Sequence, residues 1–556
     1  MDSGRFVLAV ILMIAVVVIT NMLFPPVSRR QNPATGDTVT LAQPPVVPRG
    51  EEQISPVQEP PPQAQPASAR TDTVIVESPL YRFGISTNGA MIVSAEMLSW
   101  KSFTRDGPVQ LAPRSARGLL SYRVQIGNQQ VDLSTLSFTA QTNQIRLESG
   151  DPPRNIKLVH NSAAAGNIEV NYEFSADNYL AHATIAVRGT NEAATRLLLD
   201  FGPQLAINEA RAVEDERVLA YVVNNQSEGI HSYPLRTIKN ERIDEGPLNW
   251  VALKNKYFVA AAVIEDKEAA KPFGGVFAQP GASKHTANIS ATLPAEDNST
   301  FSFRLYIGPQ EPDRLSAIGH RFQDVNPYGW RVFRPVIRPL GHFVTWIVFS
   351  MHKAFGLSYG WILILFGVVI RILMWPLNAK AMRSQLKNME LQPRMKELQS
   401  KYKSEPEKLQ REMLKLYKEE GFNPMGGCLP MLIPFPVLIT LFFVFQSTIQ
   451  FRGVPFLWLP DLSRPDPLYL LPFILGATMM LQQWLSMKTM PPNPQMKFML
   501  WFMPAFMVII FFNLASGLNL YYASQNVPGF FQQMQLTRQR ERYQRERGLQ
   551  VTTAKK

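Results

Sequence analysis

Apolar and polar positions follow two different rhythms along this chain. Residues 6–24, FVLAVILMIAVVVITNMLF, form one uncharged run of membrane-spanning length. From about residue 71 the rhythm shortens to alternating segments, among them TVIVES, YRVQIG, NIEVNYEF, HATIAVRG, ATLPAE and FSFRLYIG, separated by Asn, Gly, Asp and Pro. Period-two alternation with closely spaced turn signals predicts a large antiparallel β-sandwich over residues 71–330. Residues 331–355 mix Arg331, Arg334, Arg338 and Lys353 with Trp, Phe and Ile, the pattern of an amphipathic helix lying at a membrane interface. Long apolar runs then return at about 357–375, 429–447 and 468–487. The forty uncharged residues from Phe498 to Thr537 are too many for one span and predict two short ones, 498–512 and 518–534, joined at NLASGLN. With the first run this makes six, and the fold class is a polytopic α-helical membrane protein with an exported β-sandwich domain.

Composition refines this division. The first run lacks a small-x-small cleavage pattern and leads directly into FPPVSRR, so residues 1–24 read as an uncleaved anchor in preference to a signal peptide. Residues 25–70 hold eleven prolines with Gln, Ala, Thr and Ser, which predicts an extended, disordered tether. The single cysteine, Cys428, excludes an intramolecular disulfide. Eleven Lys and Arg lie in residues 379–420 and seven in the tail 538–556, whereas the loops on the other side carry only Arg452 and Arg464. Both termini are therefore expected in the cytoplasm and the β-domain in the periplasm.

Residues 379–420 predict a cytoplasmic helical hairpin. Leu391, Met395, Leu398 and Tyr402 make one apolar stripe, and Leu409, Met413, Leu416 and Tyr417 make the other. Ser404 with Glu407 forms a capping box between them. A solvated spacer and a docking surface for a cytosolic partner are both consistent with it. The arginine-rich tail is likewise open to two readings, a topological signal or a site for ribosomal RNA phosphates. The methionines at 479–507 suit either an adaptable surface or ordinary core filling.

Enzyme chemistry finds little support. There is no P-loop, HExxH or GxSxG pattern, and the histidines of the β-region have no metal-ligand spacing. Ser516 in ASGL lacks a later histidine as base, since none follows His352. No Asp or Glu lies in the C-terminal spans, which argues against proton coupling. No cofactor, metal or small-molecule substrate is expected. The remaining anomaly is Arg371 in GVVIRILMWP, a cation inside an apolar helix without a counter-ion in any span. It either snorkels to the cytoplasmic boundary or serves a wet cavity. Uncharged polar residues recur in the same spans: Thr440, Gln446 and Ser447; Gln482 and Gln483; Tyr521, Tyr522, Ser524, Gln525 and Asn526. As a group they point to a hydrophilic concavity.

Residues 327–536 resemble the conserved core of the YidC membrane-protein insertase family. PYGW, VIRILMWPL, LQPRMKELQ, NPMGGCLPMLIPFPV, LPDLSRPDPLYLLP and SGLNLYYASQN carry the likeness. The resemblance implies a bacterial inner-membrane insertase and chaperone that moves nascent membrane proteins into the lipid bilayer, alone or beside the Sec translocon. It implies a five-helix core, residues 356–537, around a groove closed to the periplasm. Its central cation maps onto Arg371, its substrate-contacting tyrosines onto Tyr521 and Tyr522, and its apolar slide onto Met431, Phe435 and Phe506. Gln446, Gln525 and Asn526 complete the expected groove, and the hairpin and tail become expected ribosome contacts. Two departures stand out: Pro434 replaces a groove glutamine of relatives, and Gly367 replaces a threonine. The resemblance leaves a non-catalytic assembly chaperone as the competing role.

Overall fold

The computed structural model describes residues 73–546 except 114–116, 163–165, 191, 268–269, 297–298, 328, 330–332, 377–390, 392–393, 396, 404, 420–433 and 488–493. The expected anchor and tether, Ser404, Cys428, Met431 and the chain beyond Glu546 lie outside the described residues.

The β-region builds two facing layers. One runs Gly229–Pro234, Ala220–Asn225, the second half of Arg242–Lys254, Phe258–Val263, Thr300–Pro309, Leu180–Arg188, Gly166–Phe174 and Arg154–Ser162. The other begins with the first half of Arg242–Lys254 and continues through Phe273–Pro280, Ala287–Pro294, Ala194–Phe201 and Leu120–Ile126. Arg242–Lys254 thus belongs to both. Its register shifts between Glu245 and Leu248, at Gly246 and Pro247. Proline offers no N–H to a ladder, and a side chain on Gly246 would strike the Phe273 carbonyl, 2.4 Å from a Cβ there. Alternation sends Ile168, Val170, Tyr172 and Phe174 inward from one layer to meet Leu120, Tyr122 and Val124 from the other. The hydroxyls of Tyr122 and Tyr172 bond across the gap at 2.7 Å. The sandwich departs from a purely antiparallel plan at one pairing, where the short strand Gln144–Arg146 lies parallel to Thr73–Glu77.

Two short helices, α1 (Ala212–Val218) and α2 (Pro312–Ala317), border the sandwich. Seven longer ones follow among the described residues: α3 (Arg334–Phe355), α4 (Tyr359–Leu373), α5 (Pro406–Glu419), α6 (Pro434–Ser447), α7 (Leu470–Met487), α8 (Pro494–Phe511) and α9 (Ser516–Glu546). In α3 Ile337, Val344 and Val348 are buried while Val336, Phe343 and Trp346 are exposed. Gly356 ends it in the left-handed region, φ 64°, where its N–H reaches the His352 carbonyl, and the chain turns by 120° into α4. No single described helix is long and apolar enough by itself to cross a membrane; the bent pair α3 and α4 is, taken together. In the segment predicted as a hairpin, Leu391 and Leu416, one from each predicted stripe, bury together with Met395, Leu398 and Tyr417.

Helix α9 is the hub, packing on α4, α6 and α7, while α8 lies on α7 and α3 on both α4 and α6. Phe366, Leu441, Phe445, Leu475, Phe511 and Tyr521 share its core. Instead of stopping near residue 534, α9 continues through Arg538, Arg540, Arg542 and Arg545. Gln, Arg and Glu are strong helix formers, and Glu541 and Arg545 are spaced i,i+4. The last predicted span and the start of the basic tail are one element.

Candidate functional site

The seam between α4 and α9 is made by two glycines. A Cβ on Gly367 would lie 2.1 Å from Ser524 Oγ and 2.9 Å from the Tyr521 carbonyl oxygen, so only glycine permits this crossing. One turn on, on the same face, Arg371 lays its guanidinium against Gly529, where a Cβ would be 2.8 Å from Nη2. The missing side chain at 367 is therefore a packing requirement, and Ser524 supplies a hydroxyl beside the place where relatives were expected to carry threonine. Arg371 is half-buried, its Nε is enclosed without a hydrogen-bond partner, and no carboxylate among the described residues pairs with it.

Tyr521 is buried at 1% exposure, its ring 5.5 Å from Phe366 and 5.0 Å from Tyr522. Gln525, one turn along, donates to the Tyr521 hydroxyl. Tyr522 turns its neighbouring face to Phe511, at 5.4 Å. Asn526 faces α7, donating to Thr478 Oγ1 at 2.6 Å while its carbonyl accepts from Gln482 at 2.9 Å. Phe506 stacks on Phe502 within α8, 5.7 Å between rings. Phe435 lies in the first turn of α6. Gln446 sits on the last turn of α6, beside Phe445, which meets the α9 backbone at Gly517. Gly517 precedes Gly529 by twelve residues of α9, roughly 18 Å at 1.5 Å per residue. Arg371, Tyr521 and Gln525 thus form one cluster, Asn526 and Gln482 stitch α9 to α7, and Gln446 belongs to the opposite end.

The sequence reading missed Gln532. It is 2% exposed, one turn beyond Gly529, and both amide atoms are enclosed without a partner among the described residues. Gln533 Nε2 and Thr537 Oγ1 share that condition. The signal was present as FFQQMQLT, a polar interruption in an uncharged stretch. An enclosed amide without a partner costs about 1–3 kcal/mol. Among the described residues no cluster of three His, Cys, Asp or Glu could hold a metal.

The opposite end of α9 is tied down. Ser516 N and Gly517 N donate to the carbonyls of Arg464 and Leu462 at 2.7 and 2.9 Å, and Ser516 Oγ donates to the Asp461 carbonyl at 3.0 Å. Asp461 and Asp466 hold the loop itself, accepting from Ser463, Leu468 and Leu471 backbone N–H groups. The first turn of α9 is therefore anchored to the loop between α6 and α7.

The family comparisons divide the chain at the same junction. The profile of the YidC periplasmic domain matches residues 73–340, and that of the 60Kd inner membrane protein matches residues 350–544. A membrane protein insertase YidC of Chlorobaculum parvum is 31% identical over 497 residues, covering 84% of this chain and 82% of its own length. That of Coxiella burnetii strain Dugway 5J108-111 is 27% identical over 567 residues and 96% of both chains. A crystal structure of an active YidC insertase with its first transmembrane domain resolved aligns over 83% of this chain at 16% identity and a TM-score of 0.34. By its two matched domains and its full-length relatives, the chain belongs to the YidC membrane-protein insertase family, as a bacterial inner-membrane protein with a periplasmic β-sandwich.

Proposed function

We propose that the protein inserts nascent membrane proteins through a hydrophilic groove centred on Arg371, with Tyr521 and Gln525 on its wall and Met431, Phe435 and Phe506 on an apolar slide. Tyr522, Gln446 and Asn526 complete the lining at other depths. The reading gives the chain six spans, cytoplasmic termini, and contacts to the ribosome through the hairpin and basic tail, beside the Sec translocon for some clients. The observation that supports it best is the condition of Arg371: a guanidinium seated on a glycine, enclosed at Nε and lacking a carboxylate partner among the described residues. Such a cation attracts an acidic flank that no side chain of its own neutralises. Burial of the following apolar segment, at about 25 cal/mol per Å², then drives insertion without nucleotide hydrolysis.

The test is reconstitution in liposomes with a single-span substrate bearing an acidic translocated tail. Arg371→Lys is expected to retain most insertion and Arg371→Ala to lose at least tenfold. Equal insertion by all three proteins would reduce Arg371 to a snorkelling anchor. No insertion by the unaltered protein would favour the assembly-chaperone role.

A further inference from the structure

The loop between α6 and α7 enters the β-domain. Ile449 is fully buried and belongs to the sandwich's own core. Three residues later, Arg452 places a side chain only 2% exposed into a pocket of the β-domain. Its Nε donates to Glu209 Oε1 at 2.7 Å and its Nη1 to the Lys101 carbonyl at 2.9 Å. The guanidinium carbon lies 4.3 Å from the centre of the Phe103 ring, whose other neighbour is Arg464 at 5.6 Å. The pocket is itself braced: Asp215 accepts from the backbone N–H groups of Asn208 and Lys256, and Lys256 Nζ donates to Glu214 at 2.8 Å. A buried ion pair with cation–π contact is strong only while its geometry is kept.

The same loop holds the start of α9. Leu462 N donates to the Val454 carbonyl, and the carbonyls of Leu462 and Arg464 take the first two N–H groups of α9. Leu457, at the tip of the tight turn closed by Phe456 and Leu459, holds a left-handed φ of 52°, a conformation that persists only where surrounding structure imposes it. We propose that residues 448–464 are a stiff link whose Arg452 clasps the β-domain at Glu209, so that release of the clasp loosens the first turn of α9. The link is independent of what Arg371 does.

Hydrogen exchange by mass spectrometry on the full chain in lipid nanodiscs tests it. Arg452→Ala is expected to raise exchange tenfold or more in segments 101–104, 207–210 and 513–518 together, while Trp250 to Lys254 in the sandwich core stays protected. Arg452→Lys, which keeps the charge, is expected to keep exchange within about threefold of the unaltered protein at all three. Unchanged exchange at 513–518 in the alanine variant would overturn the link. So would loss of protection throughout the sandwich, which would make Arg452 a general folding residue.

Discussion

Two arginines enter apolar surroundings in this molecule, at opposite ends of the helical core, and they keep different company. Arg452 meets a carboxylate, a carbonyl and an aromatic face inside the β-domain. Arg371 meets glycine and an enclosed tyrosine, with nothing of opposite charge among the described residues. The first arrangement pairs its charge with Glu209, with only Nη2 lacking a partner among the described residues, and is suited to holding two parts of the chain together. The second holds its charge without a carboxylate among the described residues, the condition on which the proposed groove rests. A buried cation thus reports its role through its partners more than through its burial.

The comparison is broken most directly by removing each charge. Arg452→Ala strands Glu209 and is expected to cost about 3–5 kcal/mol of local stability, seen as raised hydrogen exchange at 101–104 and 207–210 while the sandwich core stays protected. Arg371→Ala should leave exchange in those two segments unchanged, and a large rise there would place Arg371 among the structural cations.

Lys254 extends the scale. It is 5% exposed, its Nζ donates to Asn326 Oδ1 at 3.0 Å, and burial lowers its pKa to about 8. A lysine depressed in the folded state favours folding less once it is charged, so its stabilising share is present above the unfolded value of 10.5 and lost as pH falls through about 8. Lys254→Met is expected to raise stability at pH 7 by about 3 kcal/mol and to flatten the profile between pH 8 and 10.5. Glu209 has the opposite sign. Burial pushes it up to about 7 against the pull of Arg452, with Asp215 adding to the rise. Its stabilising share is full below pH 4.5 and lost as pH rises through about 7, a slope that Glu209→Gln should remove.

The surroundings of Arg371 give smaller effects. Gly367→Leu forces α4 away from Ser524 and is expected to cost about 1–3 kcal/mol, read as a lower unfolding midpoint together with reduced insertion. Tyr521→Phe removes the acceptor of the Gln525 amide and should cost about 1 kcal/mol. If insertion of acidic substrates fell further than stability in that variant, the hydroxyl would belong to the substrate's path.

Much of this architecture was readable where one face of an element is wet. NIEVNYEF alternates because Ile168, Val170, Tyr172 and Phe174 point inward and their neighbours do not. FVAAAV carries no such signal, since all of Phe258–Val263 is buried, and no local pattern announces that Arg242–Lys254 passes from one layer to the other. Arg371 was legible because a charge is conspicuous against an apolar run. Gly529 and Gln532 were not, because a glycine or glutamine in a helix has ordinary explanations. Arg452 counted in the sequence only as one of two cations in an outer loop, and its partner lies 243 residues earlier. Pairings across that distance are set by tertiary geometry and leave no mark on either segment alone.

Ile449 also sets a clock. The last strand of the sandwich ends at Pro309, yet a fully buried residue of its core is 140 positions further along the chain. At roughly 5–20 residues per second of synthesis, the exported domain waits on the order of 7–28 s for that side chain. During this interval its apolar socket and the Glu209 pocket stand open to the periplasm. The domain is finished only when about half of the membrane region that follows it has been made, with α7, α8 and α9 still to come.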